Sequence, residues 1–343
     1  MVKRRTTILM TRKINNSYEL GQSNAPDTGG DMLKTRADGT LVWEGVADTT
    51  FVPFHFHNAT NYGFSSGGHL DSGYSDVIQK FSFTSDGDAT DIANVTVARR
   101  MPTGQSSSTY GYTSGGYTGA RSNVIDKFSF TSGSDATDVG NLIQARHNPA
   151  GVSSSDNGYT AGGETSVVSN VIDKFSFSSD GNATDIGNLV NGTADSPAGA
   201  SSSTYGYVFG GAAPSATDMI SKFTFASDAD ATDVANLTQL KTFVSGHSSS
   251  DYGYRSGGSS GETTIDKFTF ASDSDATAVG SLFLGRGRGA GTASSTYGYT
   301  AGGQDSGATR VNVIDKFSFA SDSDATDVGN LLTIVASTAG TQY

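Results

Sequence analysis

The feature that most constrains this 343-residue chain is that one unit of sequence is written six times. A repeat of this length builds a stack or ring of units rather than one conventional core. A double glycine after an aromatic stretch ends at Gly68, Gly116, Gly163, Gly211, Gly258 and Gly303, so the period is 45 to 48 residues. A second landmark, Ile-Asp-Lys-Phe-Ser-Phe or a near variant, begins at Ile78, Ile125, Ile172, Ile220, Ile265 and Ile314. A third, Ala-Thr-Asp followed by Val or Ile, begins at Ala89, Ala136, Ala183, Ala231 and Ala325, and at Ala276 with Ala278 in place of the aspartate.

Each unit reads as four short strands, exemplified by Ala150 to Ser155, Gly158 to Gly163, Val171 to Phe177 and Ala183 to Leu189. The third alternates, with Val171, Asp173, Phe175 and Phe177 on one face and Ile172, Lys174 and Ser176 on the other. Apolar residues on both faces require a neighbour on each side. One such sheet cannot bury them alone, whereas six around an axis can, and the ring leaves only short protected edges. The 44 glycines and runs of Ser and Thr fit turns and argue against long helices. The expected fold is all-β: a six-bladed β-propeller of four-stranded blades, with repeats at about 51–98, 99–145, 146–192, 193–240, 241–285 and 286–335. Residues 336–343 contain a seventh, truncated first strand, Ser337 to Thr341. They are expected to close the ring beside Tyr62 to Ser66, as the inner strand of the first blade or against the 52–58 strand, because joining the two ends removes loop freedom from the open form.

The order of aromatic strand, Gly-Gly, apolar strand ending in an aromatic, polar turn, closing strand and Arg resembles the kelch repeat of β-propellers over roughly residues 51–343. The tryptophan usual in that family's last strand is missing, since Trp43, the only one, lies outside the repeats. The near-identical Asp-Lys-Phe-Ser-Phe and Asp-Ala-Thr-Asp-Val-Gly-Asn-Leu tracts more closely resemble kelch-like proteins of marine bacteriophages. Residues 1–50, with a hairpin of Thr35-Arg36 and Leu41-Val42-Trp43 around Asp38-Gly39, resemble the amino-terminal attachment segments of phage fibres. The resemblance implies a non-enzymatic virion protein made in the host cytoplasm. Its residues 1–50 would dock on other virion proteins, with Lys3, Arg4, Arg5 and Trp43 as docking residues, while the propeller would face host-surface polysaccharide. A purely structural decoration or tail-connecting role remains an alternative, and a glycan-active enzyme a more distant one.

The residues themselves narrow the chemistry. Residues 1–50 carry 7 Lys/Arg against 6 Asp/Glu, and the remainder 15 against 28. So acidic a body argues against a nucleic-acid partner. No cysteine is present, which excludes disulfides and thiolate metal sites. No run of about 18 apolar residues occurs, so no membrane span and a soluble chain are expected. His55 and His57 share a strand face but read as ordinary strand residues, and the Asp-rich turns, such as Asp86-Gly87-Asp88 and Asp228 with Asp230, read as polar turns rather than calcium sites. No catalytic residues, metal or cofactor are expected. Lys80, Lys127, Lys174, Lys222, Lys267 and Lys316 recur in every unit and read as partly buried lysines paired with carboxylates between blades. The double glycines are expected to let backbones crowd near the axis. Function should then lie where the copies differ, in the connections between second and third strands. There Tyr74, Tyr117, Arg121, Glu164 and Arg310 are candidates for contact with a polar ligand such as a glycan.

Overall fold

The computed structural model describes residues 10–14, 17–20, 31–35 and 41–45, and residues 61–190, 195–212 and 215–342. The chain divides into two units, Met1–Phe54 and His55–Tyr343. In the first, Met10–Ile14 pairs with Ser17–Leu20, and Asp31–Thr35 with Leu41–Gly45, where Leu33 faces Trp43 and Lys34 faces Val42. Lys3, Arg4, Arg5, His55, His57 and the turn residues Asp38 and Gly39 lie outside the described residues.

The second unit is a six-bladed β-propeller. Blade 2 consists of Thr103–Ser106, Tyr110–Ser114, Val124–Ser129 and Thr137–Asn141, joined antiparallel in chain order. Blades 3 to 6 repeat this plan from Ala150, Ala198, Ser245 and Ala290. Blade 1 takes its inner strand from the far end of the chain: Ala339–Gln342 pairs with Tyr62–Ser66, Gly340 facing Ser65 and Thr341 facing Phe64. The ring is thus closed by sheet hydrogen bonds between sequence-distant segments, the last strand serving as the inner strand of blade 1; residues 52–58 lie outside the described residues.

The core lies between blades. The second-strand ring of each blade, Phe64, Tyr112, Tyr159, Tyr207, Tyr254 or Tyr299, packs on a Phe-x-Phe pair of the next blade. One phenylalanine of each pair lies 4.5–5.0 Å away between centroids, stacked at 21–24° in five interfaces and tilted by 31° for Phe64 on Phe130. The other is tilted at 5.3–5.8 Å. Such offset and tilted contacts add about 0.5–1.5 kcal/mol per pair beyond area burial. This three-ring cluster occupies the interface that the chain's repeats, without tryptophan, must fill.

Glycine sets the inner radius. A Cβ on Gly104, Gly151, Gly199, Gly246, Gly291 or Gly340 would stand 2.1–2.3 Å from the carbonyl oxygen of the preceding blade's glycine. No other residue permits first strands that close. These axial glycines, rather than the double glycines, are the ones that crowd the axis. In each Gly-Gly the first residue has φ of +63° to +69° and the second +90° to +144°. The pair turns the chain between the connection leaving its own blade and the one arriving from the previous blade; Gly68 N–H, for example, donates to Arg99 O at 2.7 Å.

Candidate functional site

Each first strand begins, and each second strand ends, at the same end of the ring, so the second-to-third-strand connections and the blade-to-blade connections share one face. In every copy the connection reaches the axis through a residue in the left-handed region: Met101, Asn148, Ser196, Phe243, Arg288 and Ser337, with φ of +55° to +65°. That conformation costs a non-glycine residue about 1–2 kcal/mol. Six equivalent occurrences show that the ring geometry, not a local active site, demands it. The compensation is a closed circle of backbone hydrogen bonds. Each of these residues donates its N–H to the carbonyl of its counterpart in the previous connection, from Met101 to Ser337 round to Ser337 to Arg288, at 2.7–3.2 Å. With their backbones so fixed, the six side chains are of five kinds, serine alone occurring twice, and they rim an axial cavity of about 140 Å3 floored by the glycine ring.

The connections outside this rim form a second belt. Arg100 and Tyr117 exchange backbone hydrogen bonds, as do His147 and Glu164. The guanidinium of Arg100 lies 5.5 Å from the Tyr74 ring and 5.1 Å from that of Tyr117, the two rings standing edge-on at 6.1 Å. Tyr117 also meets the His147 ring at 5.7 Å. Arg121 pairs with Glu164 at 2.6 Å, and Arg310 pairs with Asp71 and donates to His69 Nδ1 at 3.0 Å. The five residues singled out from sequence therefore all lie on this face. Tyr74 and Tyr117 are brought together, while Arg121 and Glu164 satisfy each other.

A buried clasp under the same connections is not visible in any single repeat. Arg99 of blade 1 reaches Asp126 of blade 2, Arg146 reaches Asp173 at 2.6 Å, and Arg286 reaches Asp315 at 2.9 Å, all with both side chains fully buried. Further guanidinium donors hold carbonyls around the double-glycine turn; Arg146 Nη1 donates to Gly162 O and Val171 O at 3.0 and 2.9 Å. Burial pushes the Asp173 and Asp315 carboxyls up and the Arg99 and Arg146 guanidiniums down, against the pull of their partners. In blade 5 the arginine comes instead from its own second strand, Arg255 bonding Asp266 at 2.8 Å, while Lys241 stands at the usual arginine position and turns to Glu262. Hydrogen bonds from Thr264 and the Lys241 ammonium outweigh burial and hold Glu262 at about 2.

The recurrent lysines form an outer clasp. Lys127, Lys174, Lys222, Lys267 and Lys316 each bond an aspartate in the third-to-fourth-strand turn of the next blade, Asp180, Asp228, Asp273, Asp322 and Asp86, at 2.5–2.6 Å. Lys80 faces Gly133 in that turn and, among the described residues, has no carboxylate partner; it sits 4.7 Å over the Tyr62 ring. The residue two places further on in each turn serves as a stitch too: Asp135 accepts from Asn94 N–H at 2.8 Å and Asp230 from Asn188 N–H at 2.8 Å, while in blade 3 Asn182 Oδ1 does the same for Asn141 N–H at 3.0 Å. The Asp-rich turns thus have structural work for their carboxylates. Among the described residues, no three His, Asp or Glu side chains converge as a metal site would require.

Sequence reasoning missed the six axial rim residues. Their signal was present: each lies three residues before an axial glycine and differs in chemistry in most copies, while its flanks repeat. No protein-family model matches this chain, and none of the curated proteins matches it.

Proposed function

We propose that the chain is a non-enzymatic phage virion appendage whose propeller attaches to host-surface polysaccharide through the connection face. The observation that carries the binding part is the contrast on that face between a repeated backbone and unrepeated side chains. A circle of hydrogen bonds and buried clasps fixes the connections, while Met, Asn, Ser, Phe, Arg and Ser occupy equivalent rim positions around a cavity. A scaffold selected only as a spacer has no reason to vary where it is most rigidly held. Aromatic rings and arginines gathered beside it, as at Tyr74, Arg100 and Tyr117, suit the polar and apolar faces of sugars. The virion part rests on the resemblance of the repeat tracts and of residues 1–50 to phage proteins, with those residues as the docking segment.

The test has two arms. Purified full chain is applied to host cells and to a glycan array, and particles produced with a chain lacking residues 1–50 are analysed by mass spectrometry. Saturable glycan binding without cleavage, and loss of the truncated chain from particles, are the expected results. Absence of cell and glycan binding with the full chain still on particles would assign it a purely structural role. Released sugar fragments would make it an enzyme.

A further inference from the structure

Resting on that reading, the rim of the axial cavity says which saccharides it favours. Of the six rim positions, only Arg288 is charged. Its guanidinium lies 3.5 Å from the centroid of the Phe243 ring, and among the described residues it has no ion-pair partner. A stacked guanidinium keeps its in-plane donors free for a planar or tetrahedral anion. Arg100, the residue before Met101 and just outside the circle, also lacks a carboxylate partner among the described residues, and its Nε is buried without a hydrogen bond. Arg310 lies on the far side of His69.

The carboxylates of this face are largely occupied. Glu164 binds Arg121, Glu262 binds Lys241 and Thr264, and Asp195, the acid nearest in effect to Arg288, accepts from Asn148 Nδ2 at 3.1 Å and Ser196 Oγ at 2.9 Å. Arg288 and Arg100, without ion-pair partners among the described residues, therefore share one sector with Arg310, whose charge Asp71 offsets, in a molecule whose net charge is −12. Their proximity is registered by His69, whose imidazolium form is disfavoured by burial and then by Arg310, Arg100 and Arg288 in that order. Such a focus of one sign in a concave surface draws counter-charged ligands. The cavity, about 140 Å3, is close to the size of one that holds a benzene ring, about 150 Å3, so it admits one ring-sized group. Asn148 and Ser196 at the rim supply hydrogen bonds for hydroxyls.

We propose that the axial cavity binds the anionic group, carboxylate or sulfate, of an acidic saccharide, with Arg288 as the direct partner and Arg100 as the neighbouring cation. Titration calorimetry with tetragalacturonate, its methyl ester and a sulfated galactan tetrasaccharide tests this. The acid or the sulfated probe is expected to bind, and which of the two binds more tightly identifies the anion. The ester should bind about tenfold more weakly than the acid, as should the acid to Arg288→Gln. Arg288→Lys should recover part of the loss. Raising salt from about 0.1 M to about 0.5 M should weaken the acid and leave the ester unchanged. Arg100→Gln, outside the hydrogen-bonded circle, provides a second variant should Arg288→Gln lower the melting temperature. Equal affinity of acid and ester, wild-type affinity in both Gln variants, or no binding of either anionic probe would overturn the inference. Host-cell binding that persists in Arg288→Gln would leave surface attachment standing while removing this site from it.

Discussion

The interface between blades 2 and 3 carries both an inner and an outer ionic clasp, whereas the one between blades 1 and 2 keeps only the inner, and the two clasps behave differently across the ring. The inner one comes and goes as a pair. Where the arginine position is Val335, the facing aspartate position is Gln79, and Gln79 Oε1 instead accepts the Leu332 N–H at 2.5 Å. Where lysine replaces arginine at position 241, Arg255 supplies the guanidinium from another strand. The outer clasp loses one member alone: Lys80 remains although Gly133 has replaced its aspartate. The difference is solvent. The inner pairs are fully buried, whereas the outer aspartates are half exposed, Asp228 at 58%. A buried charge without its partner costs several kcal/mol, and an exposed one is rehydrated.

The largest effect expected from this contrast follows removal of one inner partner. Asp173→Ala should lower unfolding stability by about 3–5 kcal/mol, measured by urea denaturation, whereas Arg146→Val with Asp173→Gln, copying Val335 and Gln79, should recover most of it. A double variant as unstable as the single one would show that the pair contributes more than mutual neutralisation.

Next in size is a buried group with no charge partner at all. His247 bonds Ser256 Oγ at 2.8 Å and Thr292 O at 3.0 Å, and burial pushes its pKa down from 6.5 to about 4. Between those values the unfolded chain binds a proton that the folded chain refuses. Stability is therefore unaffected above pH 6.5 and declines as the pH falls toward 4, by about 3 kcal/mol in all. The equivalent residue in blade 2 is Gln105, which makes neutral bonds to Tyr159 O and Thr160 Oγ1. His247→Gln should remove this share of the acid sensitivity, seen as a smaller loss of melting temperature between pH 7 and pH 4.5 than in the wild type.

The interface between blades 6 and 1 has no buried pair and depends on the inserted strand. Removal of residues 336–343 should destabilise the ring by roughly 1–3 kcal/mol, a melting shift of several degrees. An unchanged melting temperature would mean that blade 1 closes without Ala339–Gln342. Smallest is the outer clasp. Asp228→Ala should cost about 0–1 kcal/mol. Lys174→Met should be milder than Lys174→Ala, since the methionine keeps the apolar stem in the interface; equal losses would locate the lysine's contribution in its charge.

How much was legible in advance depended on whether a feature recurs. The double glycines, the Ile-Asp-Lys-Phe landmark and the truncated final strand are each repeated, so the chain's own six copies act as their mutual controls. They determined six four-stranded blades and pointed to closure by the last segment. The partners of repeated residues were less accessible, because contact between blades joins positions about 30 to 55 residues apart in sequence, as Arg146 to Asp173 and Lys174 to Asp228 show. In a strand Asp173 and Lys174 are neighbours, and the sequence reading of the lysines as paired with carboxylates between blades does not say which carboxylates. Successive side chains of a strand point to opposite faces, so they part company, the aspartate to the arginine behind and the lysine to the turn ahead. The rim is the extreme case. Met101, Asn148, Ser196, Phe243, Arg288 and Ser337 have no common chemistry, only a shared place three residues before an axial glycine. The sequence by itself determined the blade and its number. Tertiary structure alone decided that side chains of five different kinds meet at one axis, because only ring closure turns a 47-residue period into a circle of contacts.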